Sequence, residues 1–301
     1  MQRRPIHHLT GRPARPSGFT LIEMVMVIVI LGVVGSIVAV FMKRPVDAYF
    51  DSARRASLTD AADTTVRRMS RDIRKSLPNS LRLPSSGSPS ACIEFIPTRT
   101  GGRYRADVDS AGSGDPLVFT AADTSFDMFG LNSALPADQQ VRANDLVAVY
   151  NLGITGADAY NLDNTSAVSA VAAGSLANET KITIASKLFP LASGSSRFHV
   201  IPGDEPVITY VCSGAGTSAA GDGTGTLYRY VRTLAAVYPT PATCPVPPAG
   251  TPALAQNVST CSFVYNGSDL ARNALVQLTI SLTRRGETAS LYHEVHVDNT
   301  P

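Results

Sequence analysis

One run of side chains constrains this chain more than any other. Residues 19–42 read FTLIEMVMVIVILGVVGSIVAVFM, and only Thr20, Glu23 and Ser36 in it are polar. Coiled as a helix, a run of this length rises about 36 Å, enough to cross a hydrocarbon core about 30 Å thick. Lys43 and Arg44 end it. An ordinary secretory signal has a shorter apolar stretch, with small cleavage residues on its far side. Here the small residue, Gly18, comes before the apolar run. Cleavage at Gly18 therefore discards residues 1–18 as a basic leader and keeps residues 19–42 as a single-pass membrane helix.

The leader also distorts the charge balance. It holds Arg3, Arg4, Arg12 and Arg15 and no acid, so the formal net charge of +2 becomes −2 once it is removed. A near-neutral mature chain excludes a nucleic-acid partner, which requires a basic face. The leader arginines outnumber Lys43 and Arg44, which favours a cytoplasmic amino terminus and places residues 43–301 outside the inner membrane. Glu23 is the anomaly. A carboxylate at mid-membrane costs roughly 2.5–3.5 kcal/mol on insertion scales, and less nearer an interface. It either snorkels to the interface or meets a charge supplied by a neighbouring subunit.

Beyond the membrane run the helical pattern resumes, giving an amphipathic stalk over residues 43–80. Leu58, Val66, Met69, Ile73 and Leu77, with Ala62, mark its apolar face. Arg67, Arg68, Arg71, Arg74 and Lys75 lie on other faces and read as solvated. Pro45 either kinks the helix or sits in a first turn, and Pro78-Asn79 is the stop signal. After Ser80 the texture becomes β-rich, with short runs between Gly, Pro, Ser and Asn clusters. Strands are expected at 92–96, 117–120, 146–150, 181–185, 198–201, 207–212, 227–232, 262–265, 276–283 and 290–297. The last two form a hairpin through Arg284-Arg285-Gly286. The Ala/Gly/Ser/Asn-rich stretch 152–178 and the proline-rich stretch 238–255 read as loops. The expected fold is α+β: a long amino-terminal helix, half membrane-embedded and half amphipathic, packed on a large antiparallel β-rich head spanning 81–301.

Four cysteines, Cys92, Cys212, Cys244 and Cys261, suit two disulfides in an exported chain, with all three pairings open. None has the C-x-x-C spacing of a zinc or redox site. No Gly-x-Ser-x-Gly elbow or phosphate-binding loop is found, so no enzyme, cofactor or small-molecule substrate is expected. His293-Glu294-Val295-His296 has the wrong spacing for a zinc-protease motif and reads as a strand, which sends the two imidazoles to opposite faces. Asp107-Val108-Asp109-Ser110-Ala111-Gly112 opens like a calcium loop, but Ala111 and Val118 stand where ligands are needed, so it reads as a polar turn.

Gly18-Phe19-Thr20-Leu21-Ile22-Glu23 resembles the cleavage and methylation motif of type IV pilins and type II secretion pseudopilins. The resemblance implies cleavage between Gly18 and Phe19 by a prepilin peptidase and methylation of the new Phe19 amine. It also implies that Glu23 meets the terminal amine of an adjacent subunit and sets the filament register. Shorter pieces resemble the MshO minor pilins of the mannose-sensitive hemagglutinin (MSHA) pilus. They are Arg71-Asp72-Ile73-Arg74 before Leu77-Pro78-Asn79-Ser80, Cys92 to Pro97, Thr100 to Arg105, Leu146 to Asn151, Tyr228-Arg229-Tyr230, Cys261-Ser262-Phe263 and Tyr292 to Val297. J-type pseudopilins share this layout. The implied partners are the peptidase, other minor and major pilins, and the inner membrane of a Gram-negative cell. The implied role is pilus assembly at or near the tip, or adhesion through the 152–178 loop.

Overall fold

The computed structural model describes residues 18–235, 238–267 and 273–301. It divides into two compact units, one ending at Ala53 and one running from Arg54 to Pro301. The leader residues before Gly18 lie outside the described residues.

A single α-helix, α1, spans Leu21–Arg74 and carries Pro45 inside it without a break. In the first unit every described residue from 18 to 50 is exposed, including all the large apolar side chains of the run. From Leu58 onward the expected stripe is buried, with Leu58, Ala62, Val66, Met69 and Ile73 all on the inner face. Arg67, Arg68, Arg71, Arg74 and Lys75 are exposed, as a solvated face requires. The helix stops at Arg74, short of the expected residue 80. Ser76 bridges to Pro97 and the Leu77 amide donates to the Ile96 carbonyl at 2.7 Å, so sheet pairing takes the chain before Pro78 would have stopped it.

Twelve strands follow among the described residues: β1 Cys92–Phe95, β2 Thr100–Arg103, β3 Asp123–Phe129, β4 Leu146–Ala148, β5 Thr165–Ala173, β6 Glu179–Lys187, β7 Arg197–Ile201, β8 Val207–Ser213, β9 Gly225–Arg232, β10 Ala253–Asn266, β11 Asn273–Arg284 and β12 Glu287–Asp298. They form two antiparallel six-stranded sheets, ordered β1-β8-β9-β10-β11-β12 and β2-β7-β4-β5-β6-β3. The helical stripe packs on the first sheet against Ile93, Phe95, Ile208, Tyr210, Phe263, Val276, Leu278 and Ile280. The second sheet closes over its own core, including Phe126, Phe198 and Ile182. Leu77, Ile96, Tyr160, Ile201 and Tyr238 make a third cluster. The fold is α+β, with the helix packed on a large antiparallel head.

Four departures from the sequence reading have physical causes. Residues 117–120 are not a strand; Leu117 is buried and the Phe119 ring lies tilted against Tyr104 and Phe189, so the apolar run fills a core from a loop. The 152–178 stretch is not one loop, because β5 lies within it and pairs with β4 and β6. Its small side chains give little pattern, while the ladder fixes it. β2 reads TGGR, and its glycines admit a neighbour: a Cβ on Gly102 would sit 3.0 Å from the Phe198 ring. β3 combines Phe126 and Met128 with a fully buried Asp127, which masked its alternation.

Candidate functional site

The amino-terminal segment places its residues at the start of α1. Gly18 and Phe19 precede the helix in exposed chain without regular secondary structure. Thr20 and Glu23 close a reciprocal cap. The Thr20 amide donates to Glu23 Oε2 at 3.5 Å and the Glu23 amide to Thr20 Oγ1 at 3.4 Å. This is the Thr-x-x-Glu capping box, which satisfies two of the helix's orphan amides and favours negative charge at its amino terminus. The sequence reading noted Thr20 and Glu23 separately and missed that three-residue spacing. Ser36 returns its hydroxyl to the Gly32 carbonyl at 2.7 Å, so the third polar group of the run is also satisfied within the helix. Among the described residues α1 is the one helix long and apolar enough to cross a membrane.

In the second unit the scattered sequence pieces converge on two polar clusters that hold the head together. Glu94 of β1 is buried, and Arg82 binds its Oε1 through Nε at 3.0 Å and Nη2 at 2.7 Å. Its Oε2 accepts from Arg232 Nη1 at 2.8 Å, Thr209 Oγ1 at 2.9 Å and the Tyr238 hydroxyl at 3.3 Å. The Arg82 guanidinium lies 3.5 Å above the Tyr160 ring, a cation–π contact. Burial, and then the nearby Glu94 charge, push the Tyr238 hydroxyl well above its ordinary pKa. The second cluster ties α1 to the sheet. Asp72 Oδ2 accepts from the Tyr210 hydroxyl at 2.7 Å and Arg229 Nε at 2.9 Å, while Arg229 clasps Glu205 with both Nη atoms. Burial and then Asp72 raise the Tyr210 hydroxyl.

A third junction joins Asn79, Asn151 and Asn299. Asn79 Nδ2 donates to the Asn151 carbonyl at 2.9 Å, Asn151 Nδ2 to the Pro78 carbonyl at 2.7 Å, and the Asn79 amide to Asn299 Oδ1 at 3.2 Å. The Leu77–Ser80 break, the Leu146–Asn151 segment and the carboxy-terminal tail thus meet at one point. These contacts are structural.

The cysteines pair Cys92–Cys244 and Cys212–Cys261. The first ties β1 to the proline-rich segment; the second joins β8 to β10. Asp109 Oδ1 accepts the amides of Ala111 and Ser113 at 2.9 and 2.8 Å, the hydrogen bonding of a self-capped turn. His293 is half-buried on the inner face of β12 and His296 is exposed on the other, as the strand reading expected. Among the described residues no cluster of His, Cys, Asp or Glu could hold a metal ion.

Residues 14–39 match the family model described as the prokaryotic N-terminal methylation motif. No curated protein and no solved structure matches the chain. The motif, the exposed apolar helix behind it and the helix-on-sheet head support a type IV pilin-like or pseudopilin subunit: a structural protein associated with the membrane by one helix.

Proposed function

We propose that this chain is a minor subunit of a type IV pilus of the MSHA kind, most similar to MshO. A prepilin peptidase cuts it between Gly18 and Phe19 and methylates Phe19. Residues 19–42 hold it in the inner membrane with the head in the periplasm, and assembly then carries it to the cell surface at or near the pilus tip. Its partners are the other minor pilins and the major pilin.

The observation that carries this reading is the match over residues 14–39, with Glu23 in the first turn of a helix whose apolar run through Met42 is exposed throughout. In the lone subunit Glu23 caps its own helix. In an assembled bundle its carboxylate can reach a neighbour's amine, and in low dielectric an unpaired charge is costly. Two six-stranded sheets make a bulky head for a subunit repeated at every helical step, which favours a position used once.

Immunogold labelling of pili, with quantification of sheared filaments, tests the position. Gold at filament ends and a small stoichiometry beside the major subunit are expected, with both lost in Glu23→Ala. Gold along the whole filament contradicts a tip position. Normal piliation with failed protein secretion in a deletion strain assigns the chain to a type II secretion pseudopilus instead. An adhesive role cannot be tested by deleting 152–178, because that removes β5 from the middle of the second sheet.

A further inference from the structure

We propose that the outer edge of β12 is a docking edge for an extended strand of another protein chain, one that alternates apolar and basic side chains. Among the described residues the two sheets present four edges, and three of them carry backbone contacts to other segments. The β2 edge runs into β3: Tyr104 bridges Met128 and the Arg105 amide donates to the Asp127 carbonyl at 2.8 Å. The same contacts, with the Asp127 amide donating to the Asp115 carbonyl at 2.7 Å, occupy the β3 edge at residues 127–128. The β1 edge is lined by residues 76–82; Arg82 and Glu94 exchange backbone hydrogen bonds of 2.9 and 3.0 Å. Among the described residues, no backbone hydrogen bond reaches the outer side of β12.

The hairpin fixes which groups face outward. Arg285 and Gly286 have φ of 50° and 79°, the two left-handed residues of a type I′ turn. Such a two-residue turn makes Arg284 and Glu287 a hydrogen-bonded pair, and pairing alternates from there. Glu287, Ala289, Leu291, His293, Val295 and Val297 therefore bond to β11. Thr288, Ser290, Tyr292, Glu294, His296 and Asp298 turn their amides and carbonyls outward, and all six are exposed. Natural edges are blunted by Pro, Lys, bulges or shortness. This one spans twelve residues, contains no Pro, Gly or Lys, and keeps its register with β11 without a shift.

A row of alternating amides and carbonyls is matched by another strand's backbone. Cross-strand partners share a face, so the side chains of β12 specify those of the occupant. The solvent face carries the carboxylates Glu294 and Asp298 and neither Lys nor Arg, which calls for basic residues opposite. The helix-side face carries Leu291 and His293, half-buried, with buried Ala289, Val295 and Val297; its apolar majority calls for apolar residues that extend the first core.

The test uses the full chain in non-ionic detergent and a fluorescein-labelled, end-capped peptide, KVKVKVKVK, read by anisotropy, with EVEVEVEVE as comparator. Binding of the lysine peptide is expected to exceed that of the glutamate peptide by about tenfold, the size of a modest charge complementarity. Ser290→Pro removes one outward amide and no bond to β11, so it should abolish binding while the melting curve is retained. If Ser290→Pro does not fold, the double variant Glu294→Lys, Asp298→Lys keeps every amide and replaces the two carboxylates of the solvent face by two ammonium groups, so it should reverse the peptide preference. Equal binding by wild type and Ser290→Pro, no binding by wild type, or an unchanged preference in Glu294→Lys, Asp298→Lys overturns the proposal. A wild-type dimer dissociated by Ser290→Pro gives the edge to a second copy and also overturns it. Glu23→Ala should leave peptide binding unchanged, so the docking edge and the assembly reading fail separately.

Discussion

Replacing Glu94 by alanine should destabilise the head more than any other single charge deletion in it. The side chains of Glu94 and Arg82 are 5% and 14% exposed, and Arg232 is 32% exposed. Removing the carboxylate leaves Arg82 beside the Tyr160 and Tyr238 rings with only the Asp158 charge nearby, and takes away the acceptor of the Thr209 hydroxyl. Deleting one partner of a buried pair costs about 3–5 kcal/mol. A domain of this size loses about 2–4 °C of melting temperature per kcal/mol, so Glu94→Ala should melt roughly 6–20 °C lower. Far-ultraviolet circular dichroism of the full chain in mild detergent measures it. The double variant Arg82→Met, Glu94→Leu removes both buried charges and should regain much of the loss, because Arg232 can turn to water. Arg67→Ala, which breaks an exposed pair with Asp63, should leave melting unchanged. A fall below about 2 °C for Glu94→Ala, the size expected of a surface pair, would refute the cluster's role.

Two further outcomes follow from the head. Burial, and then the Arg197 charge, push the His199 imidazole down to about 4 from an ordinary 6.5, so the folded state keeps it neutral while the unfolded chain protonates. Stability should be unaffected above the unfolded pKa and fall as the pH drops from 6.5 toward 4, by up to about 3 kcal/mol; urea titrations of wild type and His199→Gln between pH 6.5 and 5 should show the slope only in wild type. Non-reducing peptide mapping should recover Cys92 linked to Cys244 and Cys212 to Cys261. Because the first bridge closes 152 residues and the second 49, Cys92→Ala/Cys244→Ala should cost more than Cys212→Ala/Cys261→Ala, by about 1 kcal/mol on chain entropy alone.

The fold was legible where one period ran unbroken. Val276, Leu278, Ile280 and Leu282 alternate with polar residues, and that strand, its hairpin and the helical stripe from Leu58 to Ile73 stand where the pattern puts them. Legibility failed where tertiary contacts replace pattern. β5 is mostly Ala, Ser and Thr, with only Val168 and Val171 to mark a face, and is held by β4 and β6 on either side; β2 needs its glycines for close approach to Phe198. The stalk ends early because Leu77 finds a better partner in Ile96 than in the helix. The amino-terminal motif was legible because it is written in local spacing, with Gly18 and Phe19 just before the helix and Glu23 in its first turn; only the Thr20 cap went unread. The Glu94 cluster was not, because Arg82, Thr209, Arg232 and Tyr238 are far apart in sequence. The one available signal was an acid inside the apolar run Cys92–Ile96.

The most direct measurement is mass spectrometry of the amino-terminal peptide and intact mass of the chain, purified from a host that has a prepilin peptidase. The account predicts a chain beginning at Phe19, its amine carrying one methyl group, and an unprocessed product in Gly18→Val. A mature chain that still begins at Met1, or one cut after Ala39 on the far side of the apolar run, would contradict it.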